Sequence, residues 1–261
     1  MVSTLPSYTQ LGMAALLPHK ELSFTENSDS VLVNGSSTIG TDARRKILEQ
    51  YSGVRATTIN AEDFMKMNSA TEGREFVKQY DLIYIYHNRI DKVGDDKTSE
   101  EKVFEAVEDE LEFLMDLLRK IAAMNGNNMF ITADHGFLYQ NVELAESDFA
   151  IGKITGEIWK ESRRYVTGKN LIGDNGTKHF KAEQLNLAGD AEVLIPKSIN
   201  RIRIKGSGSR YVHGGATLQE IVIPLLKVSK RRQDTTKQVD IDIIQSTDKI
   251  TTNILAVSFL Q

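Results

Sequence analysis

The chain has 261 residues, 40% hydrophobic and 26% charged, with a formal net charge of −4. That length can bury a substantial core, as one large α/β domain or one domain plus part of another, and the acidic balance gives no basic surplus for a nucleic-acid partner. The absence of cysteine excludes disulfides, zinc fingers and thiol nucleophiles, so any metal must be held by Asp, Glu and the five His.

No apolar run approaches the roughly 20 residues of a membrane span. Met1-Val2-Ser3-Thr4-Leu5-Pro6 has neither the basic flank nor the apolar body of a signal peptide. The expectation is a cytoplasmic protein with no membrane partner. The first residues run straight into a motif, and Ile254–Gln261 stops inside an apolar run, so the sequence reads as a piece of a longer chain.

In chain order, Pro6–Pro18 has the form of a loop feeding a short helix. Ser7 or Thr9 can supply its cap, and Pro18 ends it. A hydroxyl at a helix start lies among free backbone N–H groups, where an anion is welcome; the plainer role for Thr9 is an N-cap. Residues 20–40 are polar, broken by Val31-Leu32-Val33 as one short strand. Helical patterns cover about 41–51 and 70–80. Residues 81–87, ending in Tyr86-His87, form a strand that opens into a carboxylate-rich loop with Asp91, Gly94 and Asp95.

The longest helix runs over 99–124. Phe104, Val107, Leu111, Leu114, Leu118 and Ile121 recur at three- and four-residue steps as its sheet-packing face, and Glu105, Glu108, Asp109, Glu110 and Glu112 read as its solvated side. This single crossover predicts that strands 81–87 and 128–133 are parallel neighbours. The second strand, Met129-Phe130-Ile131-Thr132, is a short buried run ending in Ala133-Asp134-His135-Gly136. Open α/β sheets bind ligands beyond the carboxyl ends of their strands, and a carboxylate beside an imidazole suits a divalent metal.

Between 141 and 200 only short strands are visible, at 164–166, 180–182 and 192–196. Lys153, Lys160, Arg163, Arg164 and Lys169 make the most basic stretch, a solvated surface or else a substrate-anchoring patch. Arg201-Ile202-Arg203-Ile204-Lys205 alternates as a strand with one buried face. Then come His213-Gly214-Gly215, a helix at 217–220 and an apolar run over 221–228. Residues 230–234 read as a polar link, followed by strand-like 239–244 and 252–260, the start of an incomplete β domain. The predicted division is therefore 1–229 and 230–261.

Four stretches taken together, Leu5–Pro18, Tyr86–Asp95, Thr132–Phe137 and Val212–Glu220, resemble the alkaline phosphatase superfamily, and within it the PglZ family of BREX and Pgl phage-defence systems. The resemblance covers most of residues 3–228. It implies a three-layer α/β fold with a mostly parallel sheet flanked by helices. It places Thr9 where the superfamily has its nucleophile. Asp134 and His135 match ligands of one metal, and Asp91, Asp95 and His213 match ligands of a second. Asp95 stands where many relatives have His, which suits manganese or magnesium better than an imidazole would.

The implied activity is hydrolysis of phosphate mono- or diesters through a phosphothreonine intermediate, with two divalent ions, zinc first and manganese or magnesium as alternatives. The implied partners are other BREX proteins and a phosphorylated substrate, nucleic acid included. The superfamily's further metal-binding Asp, upstream of the nucleophile, has no counterpart before Thr9. The expectation is a fragment without its first strand, with weak metal binding and little activity of its own. Two other readings stand beside the enzyme: an inactive phosphatase-like scaffold of a defence complex, and a nucleic-acid-binding module using residues 153–169. His87 reads first as a partner for the strand-end backbone and second as a ligand.

Overall fold

The computed structural model describes residues 1–94, 102–142, 144–149, 152–204, 210–230, 242–244 and 258–260. The chain forms two compact units, residues 1–229 and 230–261.

The first unit begins with helix α1 (Thr9–Ala15), strands β1 (Leu22–Phe24), β2 (Val31–Val33) and β3 (Ser36–Ser37), and helix α2 (Gly40–Tyr51). The small sheet runs β1-β2-β3. Val31 and Val33 are fully buried and pack with Leu11, Ala14, Ile47 and Leu48, so the apolar sides of α1 and α2 share one core. Strand β4 (Ala56–Asn60), helices α3 (Ala61–Lys66) and α4 (Glu72–Gln79), and strand β5 (Leu82–Tyr86) follow. Strands β4 and β5 are parallel, Ala56 opposite Leu82 through Asn60 opposite Tyr86.

Helix α5 (Arg89–Gly94) and the long helix α6 (Val103–Ala123) lead to strand β6 (Asn128–Thr132). The apolar face of α6 matches the expected one only in part: Leu114 and Ile121 pack on the core around Phe64, but Phe104 and Leu111 do not. Val103, Glu110 and Leu117 are the buried residues, whereas Phe104 and Leu111 are 59% and 60% exposed. The inward stripe recurs every seven residues and includes a carboxylate, so the exposed phenylalanine and leucine beside it imitate a core face. Leu117 and Met124 pack on Ala61 and Phe64 of α3.

Strands β5 and β6 are not paired with each other among the described residues. β5 pairs with β4, and β6 pairs antiparallel with β13 (Leu225–Ser229), Leu225 opposite Thr132 through Ser229 opposite Asn128. A crossover helix sets the handedness of the connection, but it does not make its strands neighbours.

After β7 (Leu138–Tyr139), residues 155–196 build a four-stranded antiparallel sheet from β8 (Thr155–Glu161), β9 (Val166–Ile172), β10 (Thr177–Lys181) and β11 (Glu192–Pro196), ordered β10-β11-β9-β8. Its inner residues Val193 and Ile195 join the α1 core. Arg201–Ile204 does not form the expected strand, and Lys205 lies outside the described residues. Arg201 N–H donates to the Asp148 carbonyl and Ile202 N–H to that of Arg163, two separate segments rather than one ladder. Strand β12 (Tyr211–Val212) pairs with β7, and helix α7 (Leu218–Ile221) precedes β13.

Among the described residues no helix is long and apolar enough to cross a membrane. In the second unit β14 (Asp242–Ile244) pairs antiparallel with β15 (Ser258–Leu260); of the predicted link over 230–234, all but Lys230 lies outside the described residues.

Candidate active site

Thr9 is the first residue of α1, after Tyr8 at the N-cap in extended conformation. Neither hydroxyl caps the helix. Ser7 Oγ donates to the Gly215 carbonyl at 2.7 Å, and Thr9 Oγ1 lies 3.0 Å from His135 Nε2. Glycine at position 12 lets α1 reach that close: a Cβ there would lie 2.5 Å from the Asp134 carbonyl oxygen.

Strand β6 ends at Thr132, which places Asp134 and His135 in the turn beyond its carboxyl end. His135 Nδ1 lies 3.0 Å from the Gly136 carbonyl. That carbonyl can only accept, so Nδ1 carries a proton, and Nε2 faces the Thr9 hydroxyl. The β7–β12 pairing brings residues 211–213 alongside this turn, and the His213 ring stacks on His135 with centroids 4.1 Å apart and planes 8° from parallel. Asp91, on α5, comes within 3.6 Å of His135 Nε2 through Oδ2, and Asp134 Oδ2 lies 3.7 Å from the same nitrogen. Thr9, Asp91, Asp134, His135 and His213 therefore converge. Asp95 lies outside the described residues.

Asp134 Oδ1 accepts the His135 backbone N–H at 3.1 Å, whereas Oδ2 is buried without a hydrogen-bond partner among the described residues. Burial pushes this carboxyl up from its ordinary value, and the Asp91 charge adds to it against the opposing pull of His135. An unpaired buried carboxylate oxygen beside an imidazole nitrogen is chemistry that a divalent cation would satisfy. Among the described residues, no three such side chains already form a metal cage. The donor types fit a cation, whereas their present spacing does not enclose one.

Several residues at the site were not legible as functional. The Tyr211 hydroxyl donates to Asp91 Oδ1, and its ring covers Gly94, where a Cβ would lie 2.6 Å from the ring carbons. In the sequence Tyr211 reads as one more core aromatic beside Val212. Arg164 and Glu220 are buried completely and pair with each other. Glu220 closes a Thr-x-x-Glu capping box with Thr217, a pattern that by itself gives a surface role. Glu110, expected in solvent, is 3% exposed, with His87 Nδ1 3.0 Å from Oε1 and Arg89 Nε 3.8 Å from Oε2. His87 thus faces a carboxylate of α6 instead of strand-end backbone.

The basic stretch is largely committed elsewhere. Lys160 pairs with Asp29 at 2.9 Å and Lys169 with Glu26 and Asp190, while Arg163 and Arg164 are buried. A solvated surface does not describe those two arginines.

The sequence matches the family described as BREX system PglZ alkaline phosphatase-like domain over residues 1–228. The alkaline phosphatase-like protein BrxZ of Escherichia coli O9:H4 (strain HS) is 38% identical over 270 residues, covering 100% of this chain and 31% of that protein. The alkaline phosphatase-like protein PglZ of Bacillus cereus (strain H3081.97) is 36% identical over 270 residues, with the same coverage of 100% and 31%. The chain thus spans about a third of the length of these curated relatives.

Among solved structures, murine ectonucleotide pyrophosphatase/phosphodiesterase 5 in complex with AMP aligns at 11% identity and a TM-score of 0.46, over 87% of this chain and 78% of that one. Phosphonoacetate hydrolase from Sinorhizobium meliloti 1021 aligns at 13% identity and a TM-score of 0.47, over 87% and 80%. With the family match spanning residues 1–228 and both curated relatives aligning along the whole chain, this α/β protein belongs to the PglZ family, the alkaline phosphatase-like domain of BREX systems.

Proposed function

We propose that the protein containing this chain hydrolyses phosphate mono- or diesters in a BREX-type defence against phage, with Thr9 as the nucleophile. One observation carries the reading: Thr9 Oγ1 lies 3.0 Å from His135 Nε2, and the Asp91 and Asp134 carboxylates approach the same nitrogen to 3.6 and 3.7 Å. With Nε2 unprotonated, the Thr9 hydroxyl donates to it and keeps its oxygen lone pairs free to attack.

In the first step a bond forms between Thr9 Oγ1 and phosphorus while the bond to the leaving-group oxygen breaks, and the hydroxyl proton departs. In the second, water attacks the phosphothreonine, the P–Oγ1 bond breaks and Thr9 regains its proton. The His135 lone pair serves by taking either the Thr9 proton or a cation in its place. Asp91, Asp134, His135 and His213 are the residues that would hold divalent metal, with Asp95 added through the resemblance alone. Two divalent ions, zinc first and manganese or magnesium as alternatives, would lower the hydroxyl pKa and offset charge developing on the phosphoryl oxygens. Its partners are then a phosphorylated substrate and the other proteins of such a system.

A nucleic-acid grip through residues 153–169 is the weaker reading, because four of its five cations are paired or buried. The test is metal content and hydrolysis of p-nitrophenyl phosphate and bis-p-nitrophenyl phosphate by the full-length protein. Thr9→Ala should keep the metal and lose hydrolysis by about 1,000-fold or more, and Asp134→Ala should lose metal. Undiminished hydrolysis by Thr9→Ala removes it as the nucleophile; an unmodified protein with no bound metal and no hydrolysis leaves a scaffold.

A further inference from the structure

Thr9, His135 and His213 lie on three separate segments, and the reading above requires their spacing to hold. One residue outside that set ties them: the Glu220 side chain holds the turn after His213, its main-chain carbonyl holds Gly136 beside His135, and that same turn holds Ser7 before Thr9. Glu220 and Arg164 are fully buried. Arg164 Nε donates to Glu220 Oε1 at 2.9 Å and Nη2 to Oε2 at 2.8 Å, a two-pronged charge-assisted pair. The remaining capacity of the carboxylate goes to the turn after His213. Gly215 N–H donates to Oε1 at 2.8 Å, and Thr217 donates to Oε2 through its hydroxyl at 2.8 Å and its N–H at 3.2 Å.

The main-chain carbonyl of Glu220 accepts Gly136 N–H at 2.8 Å, next to His135. The Gly215 carbonyl accepts Ser7 Oγ at 2.7 Å, and Ser7 N–H donates to the Gly214 carbonyl at 3.2 Å, two residues before Thr9. Arg164 also donates to the carbonyls of Asn200 and Ser198, so the guanidinium is itself fixed. Neither glycine leaves slack: a Cβ at Gly215 would strike Arg164 and Glu220, and one at Gly136 would strike the Gln219 carbonyl.

The geometry points to the Arg164–Glu220 ion pair as the positioning device that sets the spacing of Thr9, His135 and His213. Stability alone does not account for it, because a buried ion pair can often be replaced by apolar side chains at no cost. What apolar side chains do not supply is an acceptor for Gly215 and Thr217. Arg164 and Glu220 are positioning residues, acting on the site through the two glycine turns.

The test is the double substitution Arg164→Met with Glu220→Met, which removes both charges together. The expected result is a cooperatively unfolding protein in which His135 and His213 lose the mutual ring-current shifts of their imidazole proton resonances. Its Mn2+ affinity should also fall by about 10- to 100-fold, the usual range for losing an outer-shell partner. Unchanged imidazole resonances in the folded double variant overturn the proposal. The proposal rests on the function above, but the resonance readout needs no metal. If the unmodified chain binds no Mn2+, the functional reading fails while the resonances still decide the positioning.

Should the double variant not fold, amide hydrogen exchange of the unmodified chain decides instead. Gly136 and Gly215 should exchange together with the slowest core amides. Rapid, independent exchange at either glycine overturns the proposal.

Discussion

Two glutamates are buried beside the site, and they are treated differently. Glu220 has 0% exposure and uses both oxygens, on Arg164, Gly215 and Thr217. Glu110 has 3% exposure, yet among the described residues neither of its oxygens has a hydrogen bond in good geometry, although His87 and Arg89 stand 3.0 and 3.8 Å away. Glu220 holds the half of the site that carries Thr9, His135 and His213. Glu110 lies behind α5, which carries Asp91, and there the hold comes from the Tyr211 hydroxyl. The difference teaches that the two halves are held by unlike means: one by a saturated ionic network, the Asp91 half by the Tyr211 hydroxyl beside a carboxylate whose hydrogen-bonding capacity is unfilled among the described residues.

Breaking each network in turn should separate the two halves. Glu220→Ala leaves the Arg164 charge buried and unpaired, and should cost about 3–5 kcal/mol in urea unfolding. Glu110→Leu, by contrast, should change stability by less than about 1 kcal/mol or raise it, since that carboxylate has little bonding to lose. Asp134→Asn should stabilise the metal-free protein at neutral pH by about 1–3 kcal/mol, because it removes a buried, unpaired ionised oxygen, while abolishing any stabilisation by added metal.

The acid limb sharpens the contrast. Burial alone would raise the Glu220 carboxyl, but its hydrogen bonds and charge contact with Arg164 outweigh that and hold it below its ordinary value of 4.5. A depressed folded-state pKa gives stability that is complete above the unfolded value and is lost as pH falls through the folded one. Unfolding free energy should therefore decline with acid below about pH 4.5, and Glu220→Gln should flatten that decline. Tyr211→Phe should cost a modest amount, about 0.5–1.5 kcal/mol for one hydrogen bond, with metal affinity lowered about tenfold.

Much of this architecture was legible where periodicity was clean. Val31–Val33, Leu82–Tyr86, Asn128–Thr132 and Glu192–Pro196 were all anticipated as strands, and the helices at 40–51 and 103–123 fall within a few residues of the predicted spans. The sheet over 155–196 was largely hidden because its edge strand β8 is mostly exposed and its register against β9 shifts twice, which erases simple alternation. The buried face of α6 was partly misread because Glu110 lies on it. The loop-end residues Thr9, Asp91, Asp134, His135 and His213 were legible as a set through motif order. Arg164, Tyr211 and Glu220 were not: arginine reads as surface charge, tyrosine as core and glutamate three residues past threonine as a cap. What sets them apart is contacts 34 to 120 residues away in sequence, Arg164 with Ser198 and with Glu220 and Tyr211 with Asp91, which no local window contains.

The measurement that bears most directly on the central claim is acid-quench mass spectrometry of the full-length protein during turnover of p-nitrophenyl phosphate with Zn2+ or Mn2+. The account predicts a phosphoryl group on the peptide containing Thr9, absent from Thr9→Ala. Steady hydrolysis with no adduct on that peptide, continuing in Thr9→Ala, would contradict it.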